Sequence, residues 1–347
     1  MADPKTVLVS GASGFIALHC VTQLLAQGYQ VRGTLRSAKR EGEVRTAIKN
    51  AGCGDSNFSI ALADLTRDEG WAEAVAGCDY VLHVASPFPA VQPKDENELI
   101  IPARDGAVRV LKAAAKAGVK RVVLTSSVAS ISAGHDKSTG RVFNEEDWSD
   151  LDGPNVSAYE KSKTIAERAA WDFMATPEAG DMELSVINPG AVLGPILSPD
   201  SGTSVEIVRQ LMARAMPACP RIGFPVVDVR DVAAAHITAM TAPGAAGRRY
   251  VCTLPQVWFV DVASILDQRF GPEGFKIPTG QMPDFIPRLM SIFNPVLRTI
   301  TPSLGVERKL DNARIHDELN WSPHSVEEMV VASGESLITH GVIKTPH

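Results

Sequence analysis

The sequence predicts an α/β fold, in which a doubly wound parallel sheet is followed by a smaller C-terminal lobe. Short apolar runs rich in β-branched residues alternate with amphipathic patterns of helical length up to Pro189. This alternation is typical of βαβ units, whose crossover connections are right-handed. After Pro189 the alternation stops, and proline, glycine and serine become frequent.

The predicted strands are apolar runs of the kind that is buried on both faces of a parallel sheet. They cover residues 6–10, 30–34, 58–63, 80–85, 120–125 and 183–187. Helical spacing predicts intervening helices within residues 18–25, 70–76 and 98–117, closed by Gly28, Gly77 and Gly118. Glycine often follows a helix because it adopts a positive φ without strain. A further helix is predicted around Tyr159.

We expect residues 1–188, with a return segment at about 225–253, to form the domain that contains the sheet. Residues 189–224 and 254–347 are expected to form the smaller, substrate-binding lobe, and loops 131–156 and 198–224 are expected to shape the substrate pocket. Hydrophobic residues make up 45% of the 347 residues, which is enough for a sizeable core.

Composition argues against several classes of protein. The formal net charge is −6 and the charges are interspersed, whereas nucleic-acid binding needs a clustered basic face. No apolar run approaches the length of about 20 residues that a membrane span requires. The five cysteines are scattered without a CxxC pair, which indicates reduced thiols and a cytoplasmic location. The eight histidines show no ligand spacing, so we expect no metal site.

A glycine turn directly follows the first predicted strand and opens the first helix. It has Gly11, Gly14 and Ala17 at intervals of three residues. Glycines let the backbone approach a pyrophosphate, whose charge is stabilised by the N–H groups and dipole of the helix start. The spacing differs from GxGxxG, and a plain tight turn is the alternative interpretation. In this strand–turn–helix context the turn predicts a Rossmann-type dinucleotide-binding domain.

The end of the second predicted strand selects the form of the cofactor. A carboxylate there would hold a ribose 2′-hydroxyl and favour NAD. Residues 33–37 contain no carboxylate, but they contain Arg36, and Lys39 and Arg40 follow. A guanidinium is suited to a 2′-phosphate through charge-assisted hydrogen bonds. Arg36 therefore favours NADP(H), with a solvated basic loop as the alternative.

Tyr159 and Lys163 are four residues apart, which places them one turn apart on the same helix face. The predicted inward stripe comprises Tyr159, Lys163, Ala166 and Ala170. The predicted solvent side comprises Glu160, Thr164, Glu167, Arg168 and Asp172. A nearby ammonium is expected to lower the pKa of the phenol from about 10 towards neutrality. Tyr159 would then exchange protons at physiological pH. The alternative is a packed tyrosine beside a lysine that reaches water.

Several stretches together resemble the extended short-chain dehydrogenase/reductases, in the branch of dihydroflavonol reductases, cinnamoyl-CoA reductases and microbial aldehyde or ketone reductases. The glycine turn and the Tyr159–Lys163 pair combine with a serine pair about thirty residues upstream of Tyr159. The similar stretches are residues 9–16, 28–34, 63–65, 83–87, 124–127, 159–163 with 166–167, and 318–323. The resemblance spans nearly the whole chain.

This resemblance implies an NADP(H)-dependent carbonyl reductase with Ser127, Tyr159 and Lys163 as catalytic residues. Ser126 is the alternative to Ser127. The implied cofactor-binding residues are Gly11, Ser13, Gly14, Phe15, Ile16, Arg36, Asp64, Leu65, Val84, Ala85, Ser86, Tyr159, Lys163, Pro189, Val192 and Ser204. The expected partner is a small carbonyl or alcohol substrate, bound by a monomer or a homodimer. A hydroxysteroid dehydrogenase or a sugar-nucleotide epimerase or dehydratase is the alternative function on the same scaffold.

Overall fold

The computed structural model describes residues 4–87, 95–136, 140–199, 202–292 and 301–346. Its main feature is a parallel sheet of seven strands in the order β10-β7-β5-β4-β1-β2-β3. These strands are β1 (Thr6–Val9), β2 (Gln30–Leu35), β3 (Phe58–Leu62), β4 (Tyr80–His83), β5 (Arg121–Thr125), β7 (Glu183–Pro189) and β10 (Arg248–Cys252). The doubly wound fold is confirmed, and the six predicted strands match to within a few residues.

Helices cover both faces of this sheet, because alternate residues of each buried strand point to opposite sides. Val7 and Val9 of β1 lie in one core, and Leu8 lies in the other. The helices that flank the sheet are α1 (Phe15–Ala26), α2 (Glu41–Asn50), α3 (Trp71–Val75), α4 (Asn97–Lys116), α5 (Ala158–Met174) and α7 (Val229–Thr241). Helix α4 packs against α5, and α1 packs against α7.

Smaller elements follow or interrupt the main sheet. A second sheet joins β8 (Ala191–Leu193), β9 (Gly223–Asp228) and β11 (Gln256–Trp258), and a third pairs β6 (Val142–Phe143) with β12 (Lys309–Leu310). The remaining helices are α6 (Val205–Met212), α8 (Phe259–Phe270), α9 (Phe285–Met290), α10 (Ala313–Leu319) and α11 (Val326–Thr339). Helices α6, α8 and α11 share a core with β8 and β9.

The return segment at 225–253 contributes to both sheets. Strand β9 pairs with β8 and β11 in the second sheet. Helix α7 packs on α1, and β10 joins the main sheet beside β7. Within the residues that the structure describes, no helix is both long and apolar enough to cross a membrane.

Candidate active site

The glycine turn lies between the carboxyl ends of β1 and β4. Gly11 has a φ of +65°, and a Cβ built on it would lie 2.9 Å from the Cβ of Ala85. Ser10 connects the two strand ends, since its Oγ accepts from the Ala85 N–H at 2.9 Å and contacts His83 Nδ1 at 2.8 Å. The turn is therefore a bare backbone cradle that a side chain at Gly11 would fill, which fits a bound pyrophosphate.

His83 is buried and hydrogen-bonded to Ser10. Burial, together with the charge of Lys163, lowers the pKa of its imidazole to about 3. A neutral ring with an accepting Nδ1 is therefore compatible with donation from the Ser10 hydroxyl.

Arg36 lies exposed just beyond the end of β2. Its charge helps to hold the pKa of the Asp64 carboxyl below its usual range, although hydrogen bonding from Thr66 is the larger cause. Arg40 is engaged by Glu43 at 2.8 Å, whereas Arg36 makes no ion pair among the described residues. The structure thus brings Arg36 and Asp64 together and leaves the Arg36 guanidinium available to an anion.

The cofactor-binding residues expected from later in the chain come close to the same strand ends. Pro189 ends β7, and its carbonyl oxygen lies 3.5 Å from Ser127 Oγ. Val192 of β8 is buried in the core that also contacts Phe15. Ser204 directly precedes α6, in a segment where a Cβ on Gly202 would lie 2.7 Å from the Phe15 ring. Segments more than 170 residues apart along the chain therefore meet around the glycine turn.

Ser127 is held at the end of β5, where the chain enters a short 3₁₀ turn at Val128–Ser130. Its Oγ accepts from the Ala129 N–H at 3.1 Å and hydrogen-bonds with the Tyr159 side chain. Ser126, in contrast, donates to the buried Glu167 carboxylate at 2.5 Å. Of the two serines, Ser127 is the one that contacts Tyr159.

Tyr159 and Lys163 share one face of α5, and the Lys163 ammonium lies 6.0 Å from the centre of the Tyr159 ring. Helix α5 begins with a capping box, in which Ser157 and Glu160 satisfy each other's backbone N–H groups. This cap fixes the first turn, which carries Tyr159.

The expectation that Lys163 brings the Tyr159 phenol towards neutrality is wrong for this structure. Burial raises the pKa of Tyr159 above its usual value, while the hydrogen bond from Ser127 acts in the opposite direction. Burial also lowers the pKa of Lys163 to about 8. Loss of hydration on burial disfavours both charged forms, and it is the largest cause of each shift. Tyr159 is therefore a protonated acid at neutral pH.

The predicted solvent side of α5 is also partly wrong. Glu167 is 1% exposed and Thr164 is fully buried. The burial of Glu167 could have been predicted from spacing alone, because Glu167 lies four residues after Lys163 and therefore on the same stripe of the helix. The stripe is wider than predicted because α5 packs against α4 and also against the turn at Val128–Ser130.

A buried polar network surrounds Glu167 and was not predicted. The Glu167 carboxylate accepts from Arg249 Nε of β10 at 2.5 Å and from Asn188 Nδ2 of β7 at 2.8 Å. It also accepts from the hydroxyls of Ser126 and Ser130, at 2.5 Å and 2.6 Å. The network ties α5 to the ends of three strands.

A polar cleft of about 430 Å³ opens beside the start of α5. One wall comes from the loop before α5 and includes Ser132, Arg141 and Glu160. The other wall, residues 302–309, includes Arg308, whose guanidinium lies 3.6 Å from the Glu160 carboxylate. Ser127 and Tyr159 are not in its lining, but Ser157 and Glu160 are, on either side of Tyr159. We expected loops 131–156 and 198–224 to shape the substrate pocket; the first contributes here, and the second does not.

The parallel sheet, the bare glycine cradle and the Ser127–Tyr159–Lys163 group together define a Rossmann-fold oxidoreductase of the extended short-chain dehydrogenase/reductase class. The chain belongs to the NAD dependent epimerase/dehydratase family, which it matches over residues 7–253. The predicted family is therefore confirmed.

Comparison with individual proteins supports the same class. The chain is 32% identical to an anthocyanidin reductase ((2S)-flavan-3-ol-forming) of Vitis vinifera, over 89% of this chain and 94% of that protein. It is 37% identical to cinnamoyl-CoA reductase 1 of Arabidopsis thaliana, over 70% and 69% of the two chains. The crystal structure of yeast methylglyoxal/isovaleraldehyde reductase Gre2 complexed with NADPH has a TM-score of 0.79 and 29% identity, over 97% of this chain and 99% of that one. The chain is an oxidoreductase.

Proposed function

We propose that this protein is an NADPH-dependent carbonyl reductase that converts a ketone or aldehyde to an alcohol, reversibly, with Tyr159 as the proton donor. The observation that carries this proposal is the hydrogen bond between Ser127 and Tyr159, with Lys163 on the next turn of α5. Two adjacent hydroxyl groups are suited to binding one carbonyl oxygen, and a protonated phenol is suited to donating to it.

NADP(H) is the cofactor. Arg36 is exposed beyond the end of β2, makes no ion pair among the described residues and has no neighbouring carboxylate in its own strand. These features fit a 2′-phosphate, and the similar yeast reductase is a complex with NADPH. When bound, NADPH supplies the hydride. The cradle at Gly11 and Gly14 is suited to the pyrophosphate, and we assign Asp64 and Leu65 to the adenine side.

The reaction assigns a separate task to each of the three side chains. Ser127 and Tyr159 hydrogen-bond the carbonyl oxygen and orient it. Tyr159 then gives its proton to that oxygen as an alkoxide forms. Lys163 stabilises the resulting tyrosinate and, as in the family, holds the ribose hydroxyls on the nicotinamide side. The pKa of Lys163, about 8, leaves it mostly charged at neutral pH.

The cleft beside α5 is our candidate for the part of the site that receives the rest of the substrate. Its volume of about 430 Å³ suits a small organic molecule. Its lining is mainly polar and includes Ser132, His135 and Asn155. This favours a substrate that carries hydroxyl or carbonyl groups away from the reacting carbon.

A cytoplasmic location and a monomer or homodimer complete the proposal. The five cysteines are free thiols, which supports a reducing compartment.

A substrate screen tests the proposed function. The full chain would be incubated with NADPH and with isovaleraldehyde, methylglyoxal, an aromatic ketone, a 3-ketosteroid or UDP-glucose, and the loss of NADPH absorbance followed. We expect turnover with the simple carbonyls, and chiral analysis of the alcohol then defines the stereochemistry. NADPH consumption confined to the steroid would instead support a hydroxysteroid dehydrogenase. Conversion of UDP-glucose to another sugar nucleotide would support an epimerase or dehydratase, and it would be followed by chromatography because these reactions consume no dinucleotide overall.

A further inference from the structure

We infer that Glu167 is a positioning residue for the reaction. It fixes the position of Ser127 and favours the charged form of Lys163, and it lies below both side chains. The inference rests on the proposed function. Glu167 lies on the stripe of α5 that carries Tyr159 and Lys163, one turn beyond Lys163. Among the described residues it is one of the most deeply buried carboxylates, at 1% exposure.

Glu167 reaches Ser127 through two side chains. Ser130 and Asn188 both donate to the Glu167 carboxylate, at 2.6 Å and 2.8 Å. The second N–H of Asn188 Nδ2 donates to the backbone carbonyl oxygen of Ser127 at 3.3 Å. Ser130 Oγ lies 2.7 Å from the same oxygen, so its one proton is shared between this oxygen and the carboxylate. One carboxylate thereby fixes the turn that aims the Ser127 hydroxyl at Tyr159.

Arg249 anchors the other side of this carboxylate. Its Nε donates to Glu167 at 2.5 Å, and its Nη1 donates to the backbone carbonyls of Glu145 and Asp147 at 2.8 Å. The guanidinium also stacks on the Trp148 ring, 3.8 Å from the ring centre. Since its two oxygens accept hydrogen bonds from Ser126, Ser130, Asn188 and Arg249, the Glu167 carboxylate has little freedom to move, and neither does the turn it holds.

Glu167 and Lys163 line the same small cleft, of about 20 Å³, together with His83 and Ser126. Facing Lys163 are Tyr159 and Glu167 on α5, His83 on β4, and the uncharged Ala103 and Ala107 on α4. His83 is neutral, so Glu167 supplies the negative charge that favours the ammonium form of Lys163. Its replacement by a neutral group would also leave the Arg249 charge uncompensated.

The test compares Glu167→Gln with Glu167→Asp, which keeps the charge on a shorter side chain. Glu183→Gln is the matched control, because Glu183 pairs with the buried Arg121 at 2.6 Å, at the opposite end of strands β5 and β7. For each purified full-length variant, kcat and KM for isovaleraldehyde with NADPH would be measured across pH, together with NADPH affinity and thermal unfolding.

We expect Glu167→Gln to lower kcat by about 10- to 100-fold, the usual cost of a misplaced reacting group. Its alkaline loss of activity should move to lower pH, because the ammonium of Lys163 is favoured less. Glu167→Asp should lower kcat but keep the alkaline limb near that of the wild type. Glu183→Gln should lower the unfolding temperature and leave kcat and the pH profile unchanged.

A Glu167→Gln enzyme with wild-type kcat and pH profile would overturn the inference, and so would equal shifts in Glu167→Gln and Glu167→Asp. If Glu167→Gln does not fold, the kcat of Glu167→Asp decides: a loss supports the inference, and the wild-type value refutes it. If the wild type turns over none of the carbonyls, the proposed function fails. In that case NADPH affinity tests the role of Glu167 independently. A positioning role is supported if Glu167→Gln binds NADPH at least tenfold more weakly than the wild type and Glu183→Gln does not.

Discussion

The Lys163 ammonium nitrogen lies 6.0 Å from the centre of the Tyr159 ring, one turn further along the same half-buried helix face. Loss of hydration in the protein opposes ionisation of both groups. At neutral pH the pair is therefore a protonated phenol beside a mostly charged ammonium group, which is the arrangement that the proposed proton transfer requires.

Replacing Tyr159 by Phe should lower turnover by at least about a hundredfold, because a positioned proton donor contributes roughly that much. NADPH should still bind, since the ring and Lys163 remain. Steady-state kinetics and a fluorescence titration with NADPH measure the two effects. Tyr29→Phe, a change of the same kind in the loop after α1, is the control and should have wild-type turnover. An active Tyr159→Phe enzyme would refute the assigned proton donor.

The value of kcat/KM should fall as pH rises through about 8, because Lys163 loses its charge there. The sign follows from the reaction: the neutral amine is favoured above this pH, and it no longer stabilises a tyrosinate. A pH series at fixed ionic strength measures this limb. In Lys163→Arg, whose guanidinium stays charged, the decline near pH 8 should disappear even if the rate is lower. A decline at the same pH in Lys163→Arg would show that another group titrates.

Replacing Arg36 by Asp should weaken NADPH binding by at least about tenfold, the loss expected for one charge-assisted hydrogen bond, and should affect NADH less. The reason is that only NADPH carries the 2′-phosphate. Paired titrations with both dinucleotides measure the difference. Lys49→Asp makes the same change of charge at an exposed residue that pairs with Asp55, and should leave the preference intact. Equal weakening of NADPH and NADH would contradict the assignment of Arg36.

Replacing Gly11 by Ala should prevent dinucleotide binding as well as destabilise the fold. A side chain there suffers the left-handed backbone strain, about 1–2 kcal/mol, and its Cβ meets Ala85 at 2.9 Å. Gly28 is the matched position, with a φ of +84° but no atom within 4 Å of a new Cβ. Gly28→Ala should therefore lose stability in denaturant titrations and keep its NADPH affinity. If a folded Gly11→Ala protein bound NADPH with normal affinity, the glycine turn would not be part of the dinucleotide-binding site.

The sequence predicts well those features that depend on neighbours along the chain. The buried strands follow from apolar runs, and the turn at Gly11 follows from the absence of a side chain. The pairing of Tyr159 with Lys163 follows from the pitch of a helix. Each of these needs only the local backbone geometry, and each agrees with the structure.

Other features of the site depend on residues that are far apart in the chain. The pairing of Glu167 with Arg249, 82 residues later, was not predicted, although the position of Glu167 on the Lys163 stripe was readable from its spacing. The cleft wall at residues 302–309 lies in the predicted substrate-binding lobe, but its contact with the start of α5 was not predicted. No local pattern specifies which strand end a buried carboxylate will meet.

By itself, the sequence determined the fold, the cradle for a dinucleotide and the order of the reacting side chains, since short-range geometry governs all three. Only the tertiary structure decided that Ser127, and not Ser126, faces Tyr159, and that burial raises the pKa of the phenol. Both depend on which groups exclude water from the site, and that is set by the packing of α4, β7 and β10 around α5.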